Sequence, residues 1–128
     1  MRKLEDSGGR VGFETGAVRD IQIDKGRYDL IPPRPLKRLA VHYERGARKY
    51  EERNWEKGIP ASACFSSAVR HLYRWLAGER GEDHLAAAAW NIFSIMHYEN
   101  TLPNMIDTPK EELIFFCHEC GYDEYREE

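Results

Sequence analysis

The side chains best suited to binding a divalent cation, or to moving a proton near neutral pH, lie in two short stretches. One is SSAVRHLYRWLAG, with His71, and the other is GEDHLAAAAWNIFSIMHY, with Glu82, Asp83 and His84. Imidazole changes charge near neutral pH, and carboxylates are oxygen donors for hard cations. Advanced at about 100° per residue, the second stretch places Asp83, Ala87, Asn91, Ser94 and Tyr98 on one side of a helix, with His84 beside them. Leu85, Ala89, Ile92, Phe93 and Met96 fall opposite. The apolar side is the expected core, and the polar side is the expected wall of a site.

Cations are available nearby. On the helix upstream, His42, Gly46, Lys49 and Arg53 form a stripe that suits either a phosphate contact or a solvated charged face. Ser67, His71 and Arg74 share one face of the helix bearing His71, with Arg70 just outside it. No glycine loop of the Walker or dinucleotide-binding kind is present. The phosphates of a bound nucleotide would therefore be held by Lys49, Arg53, Arg70 and Arg74, or through a metal. Trp55, Trp75 and Tyr98 are candidates to stack on a base, and each could equally be core.

The cysteines offer less. Cys117-His118-Glu119-Cys120 is half of a zinc-ribbon pattern, but a structural zinc needs four ligands and there is no second cysteine pair, so thiols at a helix end are expected. Cys64 has no neighbouring signal of nucleophilic activation. Three cysteines make an odd, sparse set that does not suggest a disulfide framework.

Helices must position these groups. Pro32, Pro33 and Pro35 predict a helix start, and Leu36, Leu39, Ala40, Tyr43, Ala47 and Tyr50 give the apolar stripe of a first helix over about Pro35 to Glu52. The segment RNWEKGIP is a loop by its Gly and Pro content. A second helix is predicted from an N-cap at Ser62 to Ala77, stopped by Gly78, with Phe65, Ala68, Val69, Leu72 and Leu76 as core. The short link to Gly81 makes the second and third helices an antiparallel pair. Their polar faces then meet at one cleft, with His71 and Arg74 near Asp83, His84 and Asn91.

Outside these helices, residues 1 to 12 are expected to be a flexible N-terminus. Residues 13 to 103 form the helical domain with its N-terminal arm, and residues 104 to 128 form a C-terminal helix and acidic tail. In the arm, Ile21 and Ile23 alternate with polar residues before Asp24-Lys25-Gly26, which fits either a short hairpin or an ordered extended arm. Thr108-Pro109-Lys110-Glu111 reads as a capped start for a helix to about Cys120, with Leu113, Ile114, Phe115 and Phe116 as its apolar patch. The fold class expected is all-α: a small bundle of about four helices with an extended N-terminal arm.

With 128 residues, 41% hydrophobic and 32% charged, the chain has the make-up of one soluble globular domain. A net charge of -3 gives no global argument for duplex nucleic acid or an anionic membrane surface. No apolar run is long enough to cross a membrane, and MRKLEDSGG lacks the apolar segment of a secretory signal, so the cytoplasm is the expected compartment.

The blocks TGAVRDIQIDKGRYDLIPP, HYERGARKYEERNWEKGIP, SSAVRHLYRWLAGE and EDHLAAAAWNIFSIMHYE resemble the phage-associated dATP/dGTP diphosphohydrolase N-terminal domain family. RNWEKGIP and EDHLAAAAWN are the most distinctive. That family resembles the MazG-like all-α nucleotide pyrophosphohydrolases. The resemblance implies a helical bundle, usually oligomeric, that cuts a purine deoxynucleoside triphosphate to the monophosphate and pyrophosphate with Mg²⁺ or Mn²⁺; Phe115, Phe116 and the small size of the bundle make a homodimer or homotetramer the expected assembly. It also implies roles. His71, Asp83 and His84 would form the catalytic group, and Asp83, His84 and Glu82 the metal ligands. Lys49, Arg53, Arg70 and Arg74, with His42, would meet the phosphates, while Asn54, Trp55, Asn91 and Tyr98 would meet the sugar and base.

One departure from the MazG pattern matters. Those enzymes carry ExxE on one helix and ExxD on the next, whereas Arg70-His71 stands here where acids are expected and the third helix offers only Asp83 with Glu82 and Glu79 nearby. A second reading follows: a non-catalytic phage module that sequesters a nucleotide or nucleotide-derived signal in the same cleft. A third, an HD-type phosphohydrolase, has the doublet reversed, since Asp83 precedes His84.

Overall fold

In the computed structural model, residues 8–109 are described in full and residues 113–116 and 123–126 by their backbone. The chain divides into two compact units, Met1–Pro33 and Arg34–Glu128.

In the first unit, β1 (Arg10–Gly12) pairs antiparallel with β2 (Val18–Asp20), in a register that sets Arg10 opposite Asp20. Those two side chains form an ion pair at 2.8 Å. Gly16, at φ 88°, closes the loop between the strands, where a left-handed conformation is needed. The hairpin therefore lies upstream of the alternating Ile21 and Ile23, and its first strand falls within the segment expected to be flexible. Asp24-Lys25-Gly26 is a bend, with φ of 60° at Asp24 and 83° at Gly26, and joins no strands. Residues 1–7 of the expected flexible segment lie outside the described residues.

Three helices dominate the rest. The first, α1 (Pro33–Lys49), begins two residues before the prediction and ends three before it, with prolines in its first turn and Arg48 and Lys49 in its last. Each suits its end: proline has no N–H to lose at the start, and cations favour the negative C-terminus. Arg53, left-handed at φ 58°, then leads into a 3-10 turn over Asn54–Lys57. Gly58 is fixed by packing, because a Cβ there would lie 2.9 Å from the Met105 sulfur.

The second and third helices are α2 (Ala61–Leu76) and α3 (His84–Thr101). They pack antiparallel, as His71 meets His84 and Ser67 meets Asn91. Gly78, at φ 88°, ends α2 as predicted. Ser62 is not the N-cap of α2; it lies inside the first turn, and the cap comes from far along the chain. Asp107 accepts the Ser62 N–H at 2.8 Å and the Ser62 hydroxyl at 2.5 Å. A local capping signal was overridden by a tertiary one.

The predicted C-terminal helix is also corrected. Leu113–Phe116 is a strand, β3, paired antiparallel with β4 (Asp123–Arg126), so part of the acidic tail is strand as well. Leu-Ile-Phe-Phe is rich in the branched and aromatic residues that favour a pleated surface. The capping signal at Thr108 was too local to outweigh them. The protein is thus mostly helical, with three α-helices among the described residues in place of about four. Among these residues no helix is long and apolar enough to cross a membrane.

Candidate functional site

The seam between α2 and α3 is built from small and polar residues. Cys64, Ala68 and His71 are buried from α2, and His84, Ala87, Ala88, Asn91, Ser94 and Tyr98 from α3. Alanine and serine let the two helices approach closely. The polar groups are satisfied: Asn91 Nδ2 donates to the Ala87 carbonyl at 2.9 Å, Ser94 Oγ to the Trp90 carbonyl at 3.0 Å and the Tyr98 hydroxyl to the Trp55 carbonyl at 2.5 Å. This reverses the expected orientation of α3. Its polar side is core, while Ile92, Phe93 and Met96 are exposed, as are Phe65, Leu72 and Leu76 of α2.

The N-terminal end of that polar side borders Glu82, whose side chain is half exposed. There His71 Nδ1 and His84 Nδ1 lie 3.0 Å apart, on rings that are 9% and 5% exposed. Glu82 Oε1 sits 3.5 Å from His84 Nδ1 and 3.8 Å from His71 Nδ1. Burial lowers the pKa of His71 against the opposing pull of Glu82, so the neutral ring is favoured. The three ligand atoms fall within 4.8 Å of one another.

Asp83 is held by its neighbours. Its carboxylate caps α3, accepting the Ala86 N–H at 3.1 Å, and is gripped by Arg38 Nε at 2.8 Å and Nη2 at 2.7 Å. The Arg38 guanidinium holds its pKa down at about 2. Both oxygens are engaged by the protein.

A cleft of 380 Å³ adjoins this group, lined by Arg38 and Arg45 of α1, Trp75 of α2, Glu79 and Arg80 of the link, and Glu82 to His84. Its volume is in the range of small-ligand sites. Arg80 donates to the Trp75 and Glu79 carbonyls, both at 2.9 Å, and its guanidinium lies 5.4 Å from the Trp75 ring centre.

The residues singled out from sequence divide into two groups. His71, Arg74, Glu82, Asp83 and His84 come together, with Arg74 Nη1 3.6 Å from Glu82. His42 joins them electrostatically: burial lowers its pKa, while Glu82 and Asp83 raise it. Asn91 lies deeper in the seam, and Arg70 is outside the cleft, with Nη2 3.2 Å from the Ser67 hydroxyl. Trp55 and Tyr98 belong to an aromatic cluster at the other end of α3, where Trp55 meets His97 edge-on at 4.9 Å. That is about 20 Å along the helix from His84. Tyr98 is 0% exposed and presents no face to a ligand. Asn54 adjoins Trp55, Arg53 is paired with Glu56 at 2.7 Å, and Lys49 lies over the Tyr50 ring. None of these lines the cleft.

Cys64 is a free, buried thiol whose pKa is raised by burial, in keeping with a structural role. Cys117 and Cys120 lie outside the described residues.

Arg38, Arg45 and Arg80 were not singled out from sequence. The sequence carries a signal for two of them: positions 38, 42 and 45 form one i, i+4, i+7 stripe of α1, which shares His42 with the stripe of Gly46, Lys49 and Arg53. Arg80 sits in a link, where periodicity carries no information.

No curated protein and no solved structure matches the chain. A family model, dATP/dGTP diphosphohydrolase, N-terminal, matches residues 15–108, the span holding all three helices and the cleft. The chain belongs to the dATP/dGTP diphosphohydrolase N-terminal family.

Proposed function

We propose that this protein is a metal-dependent nucleotide diphosphohydrolase that converts a purine deoxynucleoside triphosphate, dATP- or dGTP-like, to the monophosphate and pyrophosphate. The observation that carries the reading is the juxtaposition of Arg38, Arg45 and Arg80 around one cleft with Glu82 and His84, which belong to the His71, Glu82 and His84 group. The family's name describes nucleotide hydrolysis in general. Arginines suit the anionic triphosphate, and Trp75, at the cleft wall, offers a surface for the base. A divalent cation bound beside them would neutralise phosphate charge and acidify a water. Of the two ions the family resemblance implies, Mg²⁺ asks for oxygen ligands, and Glu82 alone offers a carboxylate within the His71, Glu82 and His84 group. Mn²⁺ tolerates that donor set better.

The many exposed apolar residues of α2 and α3 support a homodimer or homotetramer, since large apolar side chains left in water favour association. The expected setting is the cytoplasm, that of the host if a phage encodes the protein.

The scarcity of free carboxylates favours a second reading, a non-catalytic phage module that sequesters a nucleotide or nucleotide-derived signal. Incubation with a panel of nucleoside triphosphates and Mg²⁺, Mn²⁺ or Co²⁺, followed by product separation, distinguishes the two. Monophosphate and pyrophosphate are expected. Tight binding without turnover in every metal would overturn the enzyme reading in favour of sequestration.

A further inference from the structure

We infer that His71 Nδ1, His84 Nδ1 and Glu82 form a binding site for a transition-metal dication of the Zn²⁺ and Co²⁺ class, selective against Mg²⁺. The inference deepens the reading above by naming the cation, and rests on that reading only for the use to which the ion is put.

The donor set is the first argument. Two imidazole nitrogens and one carboxylate match borderline ions, which accept nitrogen readily, and mismatch Mg²⁺, which retains water and prefers an oxygen octahedron. The carboxylate that could have shifted the balance toward oxygen, Asp83, is held by Arg38 and by the Ala86 N–H. The family's expectation of Mg²⁺ and the residues present therefore disagree.

Geometry is the second argument. Two ligands at about 2.0–2.1 Å from a tetrahedral ion lie about 3.3 Å from each other, and at a right angle about 2.9 Å. The Nδ1 to Nδ1 separation is 3.0 Å, and Glu82 Oε1 stands 3.5 and 3.8 Å from the two nitrogens. The triangle is thus close to one face of a coordination polyhedron. Glu82 must move inward and the two rings must turn, so that the Nδ1 atoms now joined by a hydrogen bond converge on the ion; Glu82 is the exposed member of the three, with 50% of its side chain accessible.

Protons balance. Without metal, one Nδ1 donates to the other, so one ring carries its proton on Nδ1. An ion that takes both Nδ1 atoms requires that ring to shift its proton to Nε2. The pair stays neutral, and the ion replaces the shared hydrogen bond. The surrounding charges include Arg70, which acts on His71, Arg74, 3.6 Å from Glu82, and Asp83, paired with Arg38.

Titration of the full chain with Co²⁺, without nucleotide and followed by visible d–d absorption, tests the site. One equivalent per chain should give a saturable band that Zn²⁺ abolishes and a hundredfold excess of Mg²⁺ leaves intact. His71→Ala and Glu82→Gln should each weaken Co²⁺ binding at least tenfold, and Asp83→Asn should change it less than threefold. Circular dichroism of each variant confirms folding, and Glu82→Gln, at an exposed position, retains a readout if a histidine variant unfolds. Absence of a band, displacement by Mg²⁺, or equal weakening by Asp83→Asn would overturn the assignment. Because no nucleotide is present, loss of triphosphate hydrolysis with an intact Co²⁺ band would count against the enzyme reading alone.

Discussion

Arg38 grips Asp83 through two guanidinium nitrogens, at 2.8 and 2.7 Å, and so joins the start of α1 to the cap of α3. The residue that looks most like a metal ligand in the sequence thereby becomes the strut that orients Glu82 and His84 on either side of it. Asp83→Ala should lower stability by about 1–2 kcal/mol, the cost of a lost N-cap and a lost charge-assisted bond. Asp83→Asn should cost less, because an amide oxygen can still cap. Urea unfolding of both checks this, and equal stability of Asp83→Ala and the parent would sink the strut role.

Arg45 lines the cleft and forms no ion pair among the described residues. Free of a structural partner, it is available to a phosphate. Arg45→Ala should raise KM for a triphosphate about tenfold with little change in kcat, the signature of lost ground-state binding. Steady-state kinetics, with the unfolding midpoint as a control, tests it; an unchanged KM would remove Arg45 from the substrate site.

Tyr98 is buried, and its hydroxyl donates to the Trp55 carbonyl at 2.5 Å. Tyr98→Phe removes that bond while the Trp55 carbonyl keeps the Gly58 N–H at 3.1 Å, so the cost should be about 1 kcal/mol. Nucleotide affinity should hold within twofold of the parent when both are measured well below the melting temperature. A large loss of affinity in a folded variant would return Tyr98 to the ligand site.

Asp107 secures the first turn of α2 through Ser62, and those two hydrogen bonds hold its pKa below the ordinary 3.8. A depressed folded pKa contributes stability above the unfolded pKa and loses it as pH falls through the folded value. The melting temperature should therefore drop as pH is lowered from about 4. Asp107→Asn, which keeps an acceptor but does not ionise, should show a flatter slope over the same window. Parallel melting curves would exclude Asp107 from acid unfolding.

Leu72 and Phe93 are 43% and 47% exposed on the outer faces of α2 and α3. A charge at either position should disrupt association through that surface. Leu72→Glu and Phe93→Glu should shift the protein toward monomer in sedimentation velocity while their helical content persists. An unchanged sedimentation coefficient would place any assembly contact elsewhere.

Much of the helical scaffold is legible in the sequence because its signals are local. Prolines start α1, Gly78 stops α2, and the short link makes α2 and α3 antiparallel. The hairpin near the N-terminus and the strand at Leu113–Phe116 are less legible, as short alternations and a nearby capping signal compete with each other. The inside and outside of α3 are the least legible. Hydrophobic periodicity assigns Ile92, Phe93 and Met96 to the core, yet a seam of alanine, serine and asparagine lets the helices approach more closely and hydrogen-bond across it.

The site shows the same division. The sequence by itself determined that His71, Glu82 and His84 exist on elements forced to fold back on one another, because a link of a few residues permits no other arrangement. It also determined the family, through blocks that span all three helices. Only the tertiary structure decided that Arg38 would pair with Asp83 and that Arg45 and Arg80 would face the cleft. It also brought the two imidazoles within 3.0 Å. Such pairings depend on distances between elements far apart in the chain, and helical periodicity encodes only the face a residue occupies.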